Sequence, residues 1–191
     1  MADSLTVLSG DKPSAKQVVK GKEGRPGVSQ SARSWLHSVE TIDVGSLNDL
    51  HSVIDKLQWV PNKFVIRGKL IAGTPTQGIR RLLRPDGDVP ASFEPAARHW
   101  VMLDIDDVTL PETLSDVDAK AEAIIAHSVS LLPEPFRSAA CVFQWSGSMG
   151  FKKDKIRVHL WFWLDRSLSD DDLKAWLQGP VRIQLRCQRG Q

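Results

Sequence analysis

The chain has 191 residues, of which 41% are apolar and 25% are charged, so it can bury one sizeable hydrophobic core. Its 25 Lys and Arg nearly balance its 23 Asp and Glu, which excludes a strongly basic nucleic-acid coat and an acidic disordered chain. Seven Trp stand beside no Tyr at all, which excludes any mechanism that needs a tyrosine nucleophile.

Cysteine usage and hydropathy indicate the compartment. Cys141 and Cys187 are far apart and form no CxxC pair, which argues against a disulfide scaffold or a structural zinc site. No apolar run approaches the roughly 18 residues of a membrane span, and the N-terminal segment lacks the apolar core of a signal peptide. We therefore expect a soluble, cytoplasmic protein with no membrane partner.

The first half of the chain divides into a polar segment and a small α/β segment. Residues 1–34 carry scattered Lys and Arg among few large apolar groups, which predicts a flexible basic arm. From Ser46 onward apolar residues recur at helical spacing, which predicts a short amphipathic helix with Ser46 as its N-cap. Residues 63–71 and 79–84 flank the turn-rich GTPTQG and predict a β-hairpin, and residues 85–97 predict a connecting loop.

The second half predicts alternating strands and helices. Strands are predicted over residues 98–106, 139–145 and 156–164, and helices over residues 115–131 and 169–178. Ser115 and Ser169 are their predicted N-caps, the latter with Asp172 in a capping box. The order β-α-β-β-α predicts an α+β fold with a ferredoxin-like or RRM-like sheet and helices on one face, which one more strand would complete. Only a marginal strand, residues 181–185, follows.

Side-chain alternation indicates which polar residues of these strands share a face. Asp104 and Asp106 point to one face of their strand, and Arg157 and His159 point to one face of theirs. Because the first and third strands of a ferredoxin-like sheet are neighbours, we expect these four side chains together on the face without helices. Carboxylates at i and i+2 suit Mg²⁺ or Mn²⁺, which serve phosphoryl and nucleotidyl transfer.

The segment SGSMGFKKDKIRVH, residues 146–159, has the composition of a polyanion site. Ser146 and Ser148 offer hydroxyl groups, the glycines permit close approach of backbone N–H groups, and Lys152 and Arg157 make the segment basic. A triphosphate held here could also accept a hydrogen bond from His159. The spacing matches neither a P-loop nor a dinucleotide glycine fingerprint.

The motifs VMLDID and IRVHLWFWL together resemble the archaeo-eukaryotic primase superfamily, which includes the primase-polymerases of plasmids, phages and other mobile elements. The first family motif is an apolar strand ending in DxD, matched by Asp104 and Asp106. The second is a small residue, usually Ser, two positions before a strand His, where this chain has Arg157 before His159. The third, a later carboxylate, has no clear counterpart. The resemblance covers roughly residues 60–178.

The resemblance implies template-directed addition of NTPs or dNTPs in DNA replication. It implies Asp104 and Asp106 as ligands of Mg²⁺ or Mn²⁺, catalytic together with His159. The nucleotide would be held by Ser146, Ser148, Lys152, Arg157 and His159. A single-stranded DNA template would contact Arg67, Arg80, Arg81 and Arg84. A replicative helicase is a candidate partner.

The resemblance also sets the expected domain organisation. Residues 1–34 would be the arm, residues 35–97 a template-side module, and residues 98–191 an RRM-like metal and nucleotide module. The last module lacks the final strand and the third acid of the family. We therefore expect a chain that is cut before the end of its catalytic unit, with weak metal affinity.

Two other functions use the same residues. VMLDIDDVTLP also resembles the first motif of haloacid dehalogenase-like phosphatases, where Asp104 would be the nucleophile and Asp106 the general acid. That motif normally opens a parallel, doubly wound domain near the N-terminus. Alternatively, an open sheet with Trp161 and Trp163 would serve as a non-catalytic module for single-stranded nucleic acid.

Overall fold

The structure is a computed structural model that describes residues 2–14, 17–20, 26–29, 34–150 and 154–177. Over these residues the chain is a mixed α+β structure in which paired strands are antiparallel. Its strands are β1 (Asp3–Gly10), β2 (Gln17–Lys20), β3 (Pro26–Ser29), β4 (His37–Val44), β5 (Lys63–Ile66), β6 (Lys69–Leu70), β7 (Phe93–Glu94), β8 (Arg98–Thr109), β9 (Cys141–Trp145) and β10 (Lys155–Leu168). Its helices are α1 (Leu47–Leu57), α2 (Ala121–Ser130), α3 (Glu134–Arg137) and α4 (Asp170–Trp176), with a 3₁₀ helix over Glu112–Leu114. No helix among the described residues is long and apolar enough to cross a membrane.

The first sheet has β1 as its middle strand, in the order β4-β1-β5. Leu5, Val7 and Leu8 of β1 are completely buried. The prediction of a flexible arm over residues 1–34 is therefore wrong for β1, and β2 and β3 pair with each other within the same range. The physical reason is that SLTVL is a short apolar run whose pairing partner, β4, lies some 30 residues later in the chain. A pattern of neighbouring residues therefore does not indicate this strand.

Helix α1 begins as the sequence predicts. The Ser46 hydroxyl accepts a hydrogen bond from the Asp49 N–H at 3.2 Å, and the Asp49 carboxylate accepts one from the Gly45 N–H at 2.9 Å. The Gly45 hydrogen bond, with that of the Ser46 hydroxyl, lowers the pKa of Asp49. Leu50 and Ile54 form the buried stripe that packs the helix on the first sheet.

The predicted hairpin of residues 63–71 with 79–84 is wrong. Strand β5 pairs with β1, and β6 pairs with β7 inside the predicted 85–97 loop. Residues 79–84 contain no named strand, and Ile79 forms only a bridge with His37. The two halves of the predicted first strand pair with more distant segments, β5 with β1 and β6 with β7, instead of with residues 79–84.

The second sheet has the order β8-β10-β9 and contains the three predicted strands. The structure extends the first and third of them, whereas the second begins two residues later than predicted, at Cys141. The predicted helix 169–178 is also confirmed as α4, with a Ser169–Asp172 capping box. The predicted helix 115–131 begins only at Ala121, so Ser115 is not its N-cap. Ser115 instead ends the preceding 3₁₀ helix, with αR backbone angles that an N-cap does not adopt.

The two faces of the second sheet are covered by different elements. On one face the apolar side chains of β8 and β10 pack against Ile124, Phe136 and Leu173 of α2, α3 and α4. On the other face Trp100 and Trp161 pack against the first sheet and α1. Two of the seven tryptophans therefore fill the contact between the two sheets, which a count of residue types does not reveal.

A buried ion-pair network fastens β1 to the start of β8. The Asp3 carboxylate lies 3.0 Å from the Arg98 guanidinium, and both side chains are at most 7% exposed. The guanidinium also donates to the Ser4 and Thr6 hydroxyls and to the Arg67 carbonyl. Because both charges are buried, removing either one would leave the other without a counter-charge.

His37 makes the stability of the first sheet dependent on pH. Burial, and then the Arg81 charge, lower the pKa of its imidazole, which meets the Phe64 ring edge-on. As the pH falls, His37 of the unfolded chain therefore takes up a proton before His37 of the folded chain does. The contribution of neutral His37 to the stability of the folded state is complete above about pH 6.5 and is lost as the pH falls through the lowered pKa. We expect the melting temperature to fall with pH in this range, less steeply in His37→Gln. The exposed His51→Gln should follow wild type, and a His37→Gln profile parallel to wild type would contradict the assignment.

Candidate active site

Polar and aromatic side chains form a ladder across β8 and β10 on the face opposite α2, α3 and α4, where the first sheet and α1 cover the aromatic end. The cross-strand pairs are Trp163 with Trp100, Trp161 with Met102, and His159 with Asp104. The next step of the ladder brings Arg157 to Asp106. The aromatic end of this ladder is buried under the first sheet, whereas Asp106, Arg157 and His159 are partly exposed. The carboxylates therefore lie where the covered part of the face ends.

Asp104 is the most buried carboxylate of the candidate site, with 4% of its surface exposed. The His159 Nε2 lies 3.5 Å from its Oδ1, directly across the strand pair. A carboxylate removed from water in this way requires a nearby positive charge or several hydrogen-bond donors. The His159 imidazole is positioned to be one such donor, and a bound cation would supply a positive charge.

Asp106 lies at a β-bulge. The register shifts between Ile156 and Val158, so that two residues of β8 oppose Arg157 alone. Such a bulge bends the strand and re-aims its side chains, and it is common beside active sites. Here it brings the Arg157 Nε to 3.2 Å from the Asp106 carboxylate. The side chain of Asp107, the other residue of the bulge, lies outside the described side chains.

The serine loop, residues 146–150, joins this cluster through Arg157. The Arg157 guanidinium donates to the Ser148 hydroxyl at 2.9 Å, and the hydroxyls of Ser146 and Ser148 lie 3.2 Å apart. Gly150, with φ +83°, occupies the left-handed region that favours glycine and turns the loop back. The structure thus links Ser148 to Asp106 through Arg157, with Ser146 beside Ser148. Lys152 lies outside the described residues.

The carboxylates suit a divalent cation that takes most of its ligands from elsewhere. Among the residues that the structure describes, no group of three or more His, Cys, Asp and Glu could hold a metal. Two aspartates can still bind Mg²⁺ or Mn²⁺, because Mg²⁺ usually keeps several waters and takes phosphate oxygens beside one or two carboxylates. The donor set therefore fits a metal that arrives with a triphosphate better than one that binds alone.

The four predicted template arginines have different environments. Arg67 has a side chain only 9% exposed, and its guanidinium pairs with Asp170 and donates to the Trp100 and Leu168 carbonyls. This burial contradicts a direct phosphate contact for Arg67, which instead joins β8, β10 and α4. Arg84 is exposed. Arg80 and Arg81 are half-buried and stack on aromatic rings.

Sequence reasoning missed two residues beside these groups. Trp35 is 74% exposed and lies under the Arg80 guanidinium, 5.5 Å from ring centroid to Cζ. Met149 accepts a hydrogen bond from the Arg157 N–H through its sulfur at 3.3 Å and so holds the loop against β10. A lone Trp in a polar segment was a detectable signal for Trp35, whereas Met149 had none.

Comparison of the chain with protein-family models, with curated proteins and with solved structures finds no match.

Proposed function

We propose that the chain is a nucleotidyltransferase of the primase-polymerase class, which adds NTPs or dNTPs to a strand paired with a DNA template. The observation that carries the proposal is the cluster of Asp104, Asp106, Arg157, His159 and Ser148 around one end of β8 and β10. Two carboxylates that could hold a cation lie on the same strand pair as side chains that could donate hydrogen bonds to a triphosphate. Phosphoryl transfer requires both kinds of group at one site.

The strand order supports the finer fold assignment. In a ferredoxin-like sheet the third strand lies between the first and second, and β10 lies between β8 and β9 in the same way. Helices α2, α3 and α4 cover a single face of this sheet. We propose that β8, β9 and β10 are three strands of a ferredoxin-like catalytic core, with the carboxylates on its other face.

Each residue then has a stated task. Asp104 and Asp106 would hold Mg²⁺ or Mn²⁺, which would neutralise charge on the phosphates and on the attacking hydroxyl. Arg157 and the Ser148 hydroxyl would donate to phosphate oxygens, and His159 would orient the phosphate next to Asp104. Because Arg157 pairs with Asp106, its guanidinium lies beside one of the proposed metal ligands, where a phosphate held by the metal would bind.

Arg80, Arg84 and Trp35 support a contact with single-stranded template. An exposed tryptophan offers a face on which any base can stack, and the arginine charges attract the phosphates. Arg80 also pairs with Asp86, so part of its charge is compensated within the chain.

The two other functions have weaker support. The strand that carries Asp104 pairs antiparallel with β10, whereas the dehalogenase-like motif normally opens a parallel sheet. Trp161 is buried beneath the first sheet, so it cannot stack on a base in the way an open sheet module requires.

Nucleotide incorporation tests the proposal. With Mn²⁺ and a primed single-stranded DNA template, we expect primer extension by wild type that follows the template sequence. Asp106→Asn removes one cation ligand and leaves the side chain the same size, so we expect about tenfold weaker binding of Mn²⁺ with ATP. Asp165→Asn, at an exposed position of the same sheet, is the matched control and should bind like wild type.

The outcomes separate the candidate functions. Incorporation without a template, or binding of Mn²⁺ and ATP that Asp106→Asn leaves unchanged, would contradict the proposal. Release of phosphate from p-nitrophenyl phosphate that Asp104→Asn abolishes would favour the phosphatase instead.

A further inference from the structure

Gln144 of β9 extends the polar row of the candidate active site onto a third strand. The strand register places His159 directly opposite Asp104 on one side and directly opposite Gln144 on the other. Residues directly opposite each other in an antiparallel pair point to the same face of the sheet. The Gln144 side chain therefore lies on the face that carries the two carboxylates, beside the His159 imidazole.

The Gln144 amide is available to a ligand. Among the residues that the structure describes it has no hydrogen-bond partner, whereas the Asn62 amide donates to the Gly10 carbonyl at 2.8 Å. Gln144 is half-buried, and its amide is not among the polar atoms that are closed off from water without a partner. A ligand could therefore bond to this amide without breaking a contact within the protein.

Gln144 lies between the covered part of this face and the serine loop. The next residue of β9 on the same face, Val142, is opposite Trp161 and packs into the apolar contact with the first sheet and α1. In the other direction, the Ser146 N–H donates to the Arg157 carbonyl at 3.0 Å, where the loop begins. The amide is therefore the polar group of β9 that is closest to both His159 and the proposed phosphate donors.

The spacing along β9 fits one nucleotide. Gln144 and Ser146 are two residues apart, which is about 7 Å at the usual rise of a strand. The sugar of a nucleoside triphosphate follows its outer phosphates at a comparable separation. Phosphates held by Arg157 and the Ser148 hydroxyl, as in the proposed function, would therefore bring the sugar to the row of His159 and Gln144.

An amide suits a sugar hydroxyl better than a phosphate. A glutamine amide presents both a donor and an acceptor, and so does a hydroxyl, whereas an ionised phosphate oxygen only accepts. Arg157 and Ser148 already offer donors for the phosphates. The neutral amide of the row is therefore matched to the group by which the two classes of nucleotide differ, the 2′-hydroxyl.

We propose that Gln144 is a specificity-determining residue that holds the 2′-hydroxyl of the incoming nucleotide, so that the site prefers NTPs to dNTPs. The inference rests on the proposed function, because it concerns the sugar of the same nucleotide. When a dNTP binds, water can take the place of the missing hydroxyl at this half-buried amide. The preference is therefore that of one neutral hydrogen bond, without the larger penalty of a buried group left unpaired.

Sugar analogues test this assignment. ATP, 2′-deoxy-ATP, 3′-deoxy-ATP and inorganic triphosphate are titrated separately into the full chain with Mn²⁺, and the dissociation constants are measured by calorimetry. We expect wild type to bind ATP about threefold to tenfold more tightly than 2′-deoxy-ATP, which is the effect of one neutral hydrogen bond. It should bind 3′-deoxy-ATP like ATP, and a preference that follows the 3′-hydroxyl instead would overturn the inference.

Matched variants assign the preference to one side chain. Gln144→Met keeps the length of the side chain and removes both amide groups. It should bind ATP as weakly as wild type binds 2′-deoxy-ATP, with the binding of 2′-deoxy-ATP unchanged. Gln77→Met makes the same change at an exposed position beside β4, next to Thr76, whose carbonyl accepts from the Val39 N–H. This control should keep the wild-type preference, and inorganic triphosphate should bind all three proteins alike.

The outcomes distinguish this inference from the function on which it rests. If wild type binds inorganic triphosphate but binds ATP and 2′-deoxy-ATP equally, the inference is wrong while the phosphate site stands. If Gln144→Met weakens the binding of both nucleotides equally, Gln144 acts on the phosphates or through His159, and the inference is again wrong. If neither ATP nor triphosphate binds, the proposed function fails as well. Should Gln144→Met show no cooperative melting, Gln144→Leu, which also lacks the amide, is titrated in its place.

Discussion

A variant that lacks residues 1–10 is expected not to fold. These residues contain β1, which pairs with β4 over eight residue pairs and with β5 over four. Its removal would leave two unconnected strands and expose the apolar contacts beneath α1 and Trp161. Loss of far-UV circular dichroism and of cooperative melting would be the measured result. A truncated chain that melts like wild type would show that β1 is dispensable.

A matched pair of substitutions measures the same contribution in the intact chain. Leu5→Ala creates a cavity at a fully buried position, and we expect it to lower the free energy of unfolding by about 2–5 kcal/mol. Leu36→Ala makes the same chemical change at a position that is 54% exposed, and we expect a change within about 0.5 kcal/mol. Equal effects in urea unfolding would contradict the buried position of β1.

Asp3→Ala is the second substitution with a large expected effect. It removes the carboxylate that faces Arg98 and leaves a guanidinium that is almost completely buried without its counter-charge. It also removes the acceptor of the His99 N–H. Breaking one side of a buried ion pair typically costs about 3–5 kcal/mol, so we expect a loss of that size in the free energy of unfolding.

Two controls separate the ion pair from general damage to the sheet. Glu40→Ala breaks the exposed pair with Lys63, which joins the two outer strands of the first sheet, and should cost at most about 1 kcal/mol. The double variant Asp3→Leu with Arg98→Met removes both charges, so it should recover part of the stability that Asp3→Ala loses. A double variant less stable than Asp3→Ala would show that the other hydrogen bonds that Arg98 donates matter more than its charge.

The placement of the site residues followed from strand periodicity. Successive side chains of a strand alternate between two faces, so Asp104 with Asp106 and Arg157 with His159 could each be assigned to one face from sequence alone. The structure places these pairs together because β8 and β10 are neighbours. The β-bulge that brings Arg157 to Asp106 was not predictable, because one extra residue in a ladder leaves no trace in local composition.

The buried aromatic end of the same ladder could not be predicted from the sequence. Trp161 and Trp163 follow His159 with the same alternation, and nothing in IRVHLWFWL indicates that the first sheet covers one tryptophan almost completely. Arg67 likewise resembles a surface cation by its position before the DxD strand. Its burial depends on Asp170, which is more than 100 residues later in the chain.

Local sequence was sufficient for α1, α4 and the alternation of β8 and β10, because caps and periodicity act over only a few residues. Three features depended on tertiary structure. They are the pairing of β1 with β4 and β5, the separation of β6 from residues 79–84, and the contact between the two sheets. Each of these joins segments far apart in the chain, where the outcome is set by which partner buries more apolar surface and satisfies more backbone hydrogen bonds. For the same reason a segment that resembled a basic arm became the middle strand of a sheet.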